Sequence, residues 1–230
     1  MNVEKSHFGR RRFLGRMVLL AGSGLLTRCG SCQGKGTSKP AAGGQVFKST
    51  VEDLPAKLER LRLISEKAGQ PLDEHLQPGL SRQEIDARTR ELPFRLPEEL
   101  YTLYRWRNGS KPGSRLFLFR DHFFSSLENG MADLEGLAAH GVRNAFPFAA
   151  FEGSYYALPS EPHAFGPRYE RPVVNAFEGV DVYFFSLSRM LDTAIDWIEQ
   201  GVHKAPGTPT DRQKELAIWR QHNPGVFESQ

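Results

Sequence analysis

The sequence predicts an α+β fold, a single domain in which an antiparallel sheet packs with flanking helices. Three observations indicate this class. Apolar residues first recur at helical spacing. Short runs rich in aromatic and β-branched residues follow, with turn residues between them. A last amphipathic segment, which Gly201 ends, closes the series. Helices, then several strands, then a final helix favour an antiparallel sheet.

Two helices are expected at the start of the domain. The first covers residues 51–68, whose apolar positions form one stripe: Val51, Leu54, Leu58, Leu61 and Ala68. The second begins after Ser81, because Ser81 and Glu84 form a capping-box sequence in which each side chain satisfies an unpaired backbone N–H group. This second helix is expected to stop before Pro93.

The third helix is predicted at Pro97–Arg107, directly after Leu96. Pro97 is expected at its first position, where the missing N–H group costs nothing. The face that begins at Leu96 continues at helical spacing through Leu100, Leu103 and Tyr104. Asn108-Gly109 is expected to end the helix, because both residues tolerate a left-handed backbone.

The second half of the domain is predicted to be rich in strands. Four strands are expected at Arg115–Phe119, Ser154–Leu158, Pro172–Ala176 and Val180–Phe185. Residues 177–179 are expected to form a hairpin turn between the last two strands. A helix is expected at residues 127–137, with Gly130 as its weak point. Ser188 is expected to cap the closing helix.

The formal net charge of +3 is distributed unevenly along the chain. The first 40 residues hold eight of the 30 basic side chains and one of the 27 acidic ones. The remainder carries 22 basic against 26 acidic side chains, which is a net charge of about −4. Because the basic character belongs to the N-terminal segment, the charge does not support nucleic-acid binding by the domain.

The N-terminal segment predicts export. Arg10, Arg11, Phe13 and Leu14 form a twin-arginine pattern, in which paired arginines precede an apolar pair. The apolar run at residues 17–26 has the length of a signal-peptide core and is short for a bilayer span. Residues 1–33 are therefore predicted to be an export signal that directs the protein to the periplasm or cell envelope.

Cys29 and Cys32, the two cysteines of the chain, are candidate sites of lipid attachment. Leu26 and Thr27 precede Cys29 as in a lipobox, but Arg28 stands where a small residue is expected. Cys32 follows two small residues, but Cys29 stands where a leucine is expected. Either cysteine or neither is expected to carry lipid, and membrane contact is expected only through this leader. Mass spectrometry of the mature protein would give the cleavage point and any acyl mass.

Changes in composition divide the rest of the chain. Residues 34–50 are predicted to be a flexible, disordered linker, because small, polar and turn-forming residues dominate them. Residues 51–201 are the predicted domain. Residues 202–230 are predicted to hold a second linker and a helix, which Leu216 and Trp219 would dock on the domain. A disordered or partner-seeking tail is the alternative.

No residue pattern predicts catalysis. The sequence has no Walker A loop, no His-Glu-x-x-His motif and no Gly-x-Ser-x-Gly motif in a nucleophile-elbow context. We therefore predict no enzyme activity, no cofactor and no metal. Glu98 and Glu99 fit the first turn of a helix, where the macrodipole favours negative charge. Three histidines are expected to be surface or loop residues: His122, His140 and His163.

Aromatic side chains supply the candidate contacts with a partner. In the strand Val180–Phe185, alternation places Tyr183 and Phe185 on one face. If the other face packs on helices, one of these two side chains is left for a partner. Trp106 lies between two arginines, and Trp and Arg are enriched at binding hot spots. Trp106, Tyr183 and Phe185 are therefore the candidate partner-binding residues.

The order of several motifs resembles the SMI1/KNR4 family, also called the SUKH superfamily. The resemblance rests on Leu96-Pro97 at a helix start, Asn108-Gly109 after it, and the later Phe-Pro-Phe-Ala, Tyr-Tyr and Phe-Ser-Leu-Ser segments. It covers roughly residues 80–201. One departure is Ser110–Gly113, since the Asn-Gly pair of the family is often followed by more glycine.

The resemblance implies a non-catalytic protein-binding module. Bacterial members of the family are associated with immunity against polymorphic toxins, and fungal relatives act in cell-wall signalling through protein contacts. The expected partner is a toxin or an envelope protein, and no nucleic acid is expected. Two alternatives stay open: an envelope hydrolase acting on glycan or peptide, and a purely structural envelope lipoprotein.

Overall fold

The computed structural model describes residues 51–114, 116–202 and 211–226. Several residues predicted from the sequence lie outside these ranges: Arg10, Arg11, Phe13, Leu14, Cys29, Cys32 and the linker at 34–50. The fold therefore concerns the predicted domain and the helix that follows it.

The described residues form a 3-10 turn at Val51–Asp53 followed by α-helices and β-strands. The helices are α1 (Leu54–Lys67), α2 (Leu72–His75), α3 (Arg82–Thr89), α4 (Glu98–Trp106), α5 (Leu127–Ala132), α6 (Leu134–Ala139), α7 (Leu187–Glu199) and α8 (Arg212–His222). The strands are β1 (Leu76–Pro78), β2 (Arg107–Ser110), β3 (Phe123–Phe124), β4 (Ala145–Phe151), β5 (Ser154–Pro159), β6 (Val173–Ala176) and β7 (Val180–Phe184).

Strands β3 to β7 form one antiparallel sheet in sequential order, while β1 and β2 form a separate antiparallel ribbon. The predicted mixed fold with an antiparallel sheet and flanking helices is therefore confirmed. Glu152 (φ 49°) and Gly153 (φ 84°) join β4 to β5, and this left-handed pair is typical of a type I′ hairpin turn. The predicted turn at residues 177–179 joins β6 to β7.

Helices cover both faces of the sheet. Tyr156 and Leu158 of β5 belong to the main core, which also contains the buried side chains of α1, α4 and α7. The residue between them, Ala157, belongs to a smaller cluster with Leu137 of α6. Successive strand residues point to opposite faces. The centre of the sheet is therefore buried on both faces, while residues near strand ends such as Phe151 and Ser154 are only half-buried.

The first and last predicted helices of the domain pack together as α1 and α7. Lys57 Nζ on α1 lies 2.8 Å from Asp192 Oδ2 on α7. The prediction that Ser188 caps α7 is wrong, because the helix begins earlier. The cap is Ser186, whose hydroxyl accepts a hydrogen bond from the backbone N–H of Arg189. Ser188 instead accepts a hydrogen bond from Lys57.

The start of α3 confirms the capping box at Ser81 and Glu84. The start of α4 differs from its prediction by one residue, because the first helical residue is Glu98. Pro97 precedes it as the N-cap residue with an extended backbone (φ −68°, ψ 154°). Leu96, just before it, is buried in the core. Buried Leu96 and extended Pro97 therefore fix the direction in which the chain enters α4.

The end of α4 contradicts the sequence-based prediction. The helix ends at Trp106, and Arg107 is already extended (φ −150°, ψ 144°). Asn108 and Gly109 lie inside β2 and are not the helix terminus. Gly109 does have a left-handed backbone (φ 78°), but within a strand. The pair does not act as a helix stop because its contacts are made with a distant segment.

That distant segment is the start of α5. Asn108 Oδ1 accepts a hydrogen bond of 2.9 Å from the backbone N–H of Leu127. A Cβ atom on Gly109 would lie 2.3 Å from the backbone nitrogen of Ser126, so only glycine fits at this position. We call this contact between β2 and the first residues of α5 the Asn108–Gly109 junction.

The prediction of a strand at Arg115–Phe119 is wrong for residues 116–119, the part of that segment that the structure describes. Residues 116–122 form a loop in which Phe119 and His122 pair through an isolated bridge. Arg120 between them has a left-handed backbone (φ 59°). Leu116, Leu118 and Phe119 are buried and Phe117 is half-buried, but the run forms a turn and the sheet begins only at β3.

The helix predicted at residues 127–137 is divided into α5 and α6. The break lies at Asp133 and not at the predicted Gly130. Gly130 lies within α5, where a Cβ atom would be 2.6 Å from the ring of Phe146. Glycine is thus required here for close packing of α5 on β4.

The C-terminal helix α8 packs on the domain, as Leu216 and Trp219 predict. Trp219 is buried, and Leu216 is half-buried against the main core. Asn223, which follows the helix, accepts a hydrogen bond of 3.0 Å from the backbone N–H of Phe185. Helix α8 is therefore bound both to α7 and to the segment that follows β7.

We predict that Gly109→Ala destabilises the protein more than its matched control, Gly113→Ala. Both glycines have a left-handed backbone (φ 78° and 80°), so each alanine introduces strain of about 1–2 kcal/mol. A Cβ atom at position 113 meets open space, but at position 109 it overlaps Ser126, which adds roughly 1–3 kcal/mol. Urea unfolding measures the difference. Equal losses of unfolding free energy would show that the junction is loosely packed.

Candidate functional site

A groove of about 600 Å³ lies between α3 and the segment that leads into α4. Three arginines line it: Arg82, Arg90 and Arg95. Its apolar and aromatic lining is half-buried and comes from Leu92, Phe94 and Tyr101. The groove also contains Leu96 of the Leu-Pro pair. It is therefore a mainly polar groove that also exposes part of a few apolar and aromatic side chains.

One wall of the groove is fixed by a network around Arg82. The Arg82 guanidinium donates two hydrogen bonds, of 2.7 and 2.9 Å, to Glu98 and lies 4.3 Å from the centre of the Tyr101 ring. The hydrogen bond from Arg82 lowers the pKa of Glu98. Burial, and then a hydrogen bond donated to Asp86, raises the pKa of Tyr101 to about 12. At neutral pH Glu98 is therefore charged and Tyr101 is protonated.

Helix α3, the outer wall of the groove, is connected to α5. Arg88 on α3 forms an ion pair with Glu128 on α5. The Asn108 side-chain nitrogen lies 3.4 Å from the same Glu128 carboxylate. The Asn108–Gly109 junction therefore supports the position of the groove as well as the start of α5.

Two neighbouring glutamates at the start of α4 have opposite surroundings. Glu98 is exposed and pairs with Arg82. Glu99 is fully buried, with both carboxylate oxygens 3.2 Å from Arg171 Nη1. Arg171 also donates to the carbonyl oxygen of Ser160, 3.4 Å away. The macrodipole explanation given for both glutamates is therefore incomplete, since Glu99 ties α4 to the segment between β5 and β6.

The three aromatic residues predicted to contact a partner do not line the groove. Phe185 is fully buried, and this prediction is corrected: β7 ends at Phe184, so alternation no longer governs the next side chain. Tyr183 is half-buried and accepts a hydrogen bond of 2.6 Å from Arg120. Trp106 is half-buried, and its indole N–H has no acceptor among the described residues.

A second cluster of polar side chains lies where the loop at residues 116–122 meets the sheet. His122 Nδ1 is 2.8 Å from Asp121 Oδ1, and His122 Nε2 is 2.9 Å from Ser154 Oγ. Ser154 Oγ is also 3.1 Å from Asn175 Oδ1. The His122 ring stacks on Tyr156 at 3.9 Å between centres. His122 lies in a loop, as expected, but these contacts bury it, so it is not a surface residue.

Arg120 extends this cluster towards α8. Arg120 Nε lies 2.6 Å from Glu215 Oε1, and Arg120 Nη1 donates to the hydroxyl of Tyr183. Burial is the main cause that raises the pKa of Tyr183 and of Tyr156. Both tyrosines are therefore neutral near pH 7, and Arg120 forms its ion pair with Glu215. Sequence spacing gives no sign of this cluster, because its members come from separate strands, a loop and α8.

Among residues 51–114, 116–202 and 211–226, no group of three or more His, Cys, Asp or Glu side chains is arranged to hold a metal ion. Within the same ranges, no helix combines the length and apolarity needed to cross a membrane.

Comparison of the sequence with protein-family models and with curated proteins gives no match.

We predict that Glu99→Gln lowers the free energy of unfolding by about 3–5 kcal/mol, because it leaves the charge of Arg171 without its buried partner. Glu98→Gln is the matched control at the neighbouring exposed position and is expected to change stability little. Denaturant unfolding of both variants provides the test. Similar effects at the two positions would contradict the assignment of Glu99 as one half of a buried ion pair.

Proposed function

We propose that this protein is a protein-binding module of the SMI1/KNR4 type, and that the groove between α3 and α4 is its binding surface. Its role would be that of an immunity or adaptor protein. The observation that carries the proposal is the groove itself, which combines half-buried Leu92, Phe94 and Tyr101 with three arginines in its lining. Apolar anchors surrounded by polar groups are typical of protein interfaces, and Arg and Tyr are enriched at their hot spots.

The placement of the motifs supports the family part of the proposal. The capped helix α3 precedes the Leu-Pro entry to α4, and Asn108-Gly109 follows α4 directly. The Phe-Pro-Phe-Ala and Tyr-Tyr segments form the paired strands β4 and β5. The Phe-Ser-Leu-Ser segment begins α7. Motifs that are individually weak thus belong to one packed unit in the expected order.

The charge of the groove defines what its partner should carry. The groove has three arginines against two acids, Asp86 and Glu98, although the chain after its leader is acidic overall. A partner surface with exposed carboxylates would therefore complement the groove, and such complementarity speeds association. If the predicted export holds, the partner is an envelope protein or a toxin that acts there.

Site-specific photocross-linking in the producing cells tests the binding surface. A photoreactive amino acid replaces Arg95 in the lining of the groove, and in the matched control it replaces Arg220, an exposed arginine on α8. We expect a discrete protein adduct from position 95 and none from position 220. Mass spectrometry then identifies the adduct, and purified partner is titrated against the full chain.

Charge reversal of the groove arginines measures how much they contribute to the affinity for the partner. The double variant Arg90→Glu/Arg95→Glu is expected to weaken partner binding at least about tenfold, because charge pairs at an interface become like-charge contacts. Arg220→Glu is expected to leave the affinity unchanged. An adduct found only from position 220, or equal affinities for the two charge variants, would contradict the groove as the binding surface.

A further inference from the structure

The polar cluster around His122 has the arrangement of a nucleophile, a base and an acid that orients the base. Ser154 Oγ lies 2.9 Å from His122 Nε2, and His122 Nδ1 lies 2.8 Å from Asp121 Oδ1. A Ser-His-Asp triad is identified by these two hydrogen bonds, whatever the fold or the order along the chain. We propose that Asp121, His122 and Ser154 form an acyl-transfer site that hydrolyses esters of apolar acids.

The His122 ring is held in one orientation. It is only 4% exposed and lies nearly parallel to the Tyr156 ring, with an interplanar angle of 24°. Asp121 fixes its Nδ1 side, which leaves Nε2 directed at Ser154. Partial burial acts to raise the pKa of Asp121, but the hydrogen bond with His122 and the charge of Arg120 outweigh it, so the pKa lies below its usual value. Asp121 is therefore a carboxylate at neutral pH.

The Ser154 hydroxyl has two acceptors within reach. Its single proton can be donated to His122 Nε2 or to Asn175 Oδ1, 3.1 Å away, but not to both at once. When the ring carries one proton, on Nδ1 beside Asp121, Nε2 is unprotonated and can take the proton of Ser154. The hydroxyl therefore lies between two alternative acceptors, His122 before β3 and Asn175 on β6.

An apolar surface lies beside the nucleophile. Ser154 is half-buried at the start of β5 and directly opposite Phe151 of β4. Residues directly opposite each other project from the same face of a sheet. The Phe151 ring contacts those of Phe117 and Phe123, with ring centres 5.1 and 5.8 Å away, and all three rings are half-buried. The acyl part of the substrate is therefore expected to be apolar.

The reaction needs no group beyond the side chains and water. Ser154 Oγ attacks the ester carbonyl carbon while its proton passes to His122 Nε2, which then gives that proton to the departing alkoxide. Water attacks the resulting acyl-Ser154 and gives a proton to His122, which returns it to Ser154 Oγ as the acid leaves. The backbone N–H groups of Glu152 and Gly153, in the turn before Ser154, donate to no backbone acceptor among the described residues and are the candidate oxyanion donors.

A fluorophosphonate probe, which phosphonylates activated serine hydroxyls, tests the site on the full chain. Peptide mapping by mass spectrometry is expected to place the probe on Ser154, and Ser154→Ala is expected to abolish that labelling. Asp121→Asn is expected to slow labelling at least about 100-fold, because the oriented base is impaired. The matched control is Ser114→Ala, which also removes a serine near a histidine ring, 3.5 Å from His75 Nδ1, and is expected to leave labelling unchanged.

The Asp121 variant keeps the test decisive if the Ser154 variant fails to fold. The Asp121 side chain is 55% exposed, so its change to asparagine is expected to preserve the fold, which circular dichroism checks. The proposal is overturned if the folded wild-type chain is not labelled at Ser154, or if Asp121→Asn is labelled at the wild-type rate. Labelling of another serine at an equal rate would overturn it too. None of these outcomes bears on the groove.

Discussion

The contact of Asn108 and Gly109 with the start of α5 is the constraint on which the rest of the structure depends. Strand β2 begins at the residue directly after α4, so no loop lets the two elements move relative to each other. Asn108 provides an acceptor for the backbone N–H of Leu127, a group that ordinarily lacks a partner at a helix start. Gly109 allows the two backbones to approach closely. Helix α5 then packs on β4, which joins the helices before the sheet to the sheet itself.

Both candidate sites are built on this framework. The groove is held by α3 and α4, and α3 reaches the junction through Arg88 and Glu128. The buried pair of Glu99 and Arg171 holds the opposite side of α4. In the polar cluster, His122 lies directly before β3, which pairs with β4, the strand on which α5 packs, so its position against Ser154 depends on the same sheet.

Features decided by neighbouring residues were predictable from the sequence, and those decided by distant contacts were not. The capping box at Ser81 and the turn at residues 177–179 depend on local chemistry, and both are present. The role of Asn108 depends on Leu127, 19 positions away, so local rules assigned it to a helix end. Strand alternation applies only within a strand, and where β7 ends is not set by local residues, which is why the prediction for Phe185 is wrong. The groove was not predicted, because its lining comes from α3, α4 and the segment between them, and their packing is not a local property of the sequence.

Hydrogen–deuterium exchange at the backbone amide of Leu127 tests the central constraint most directly. Leu127 is the first residue of α5, and Arg82, the first residue of α3, is its internal reference, because the N–H of Arg82 has no acceptor among the described residues. The hydrogen bond to Asn108 predicts that the Leu127 amide exchanges at least about a thousandfold more slowly than the Arg82 amide, as expected of a group that opens only with the core. Equal exchange rates at the two amides would contradict the account.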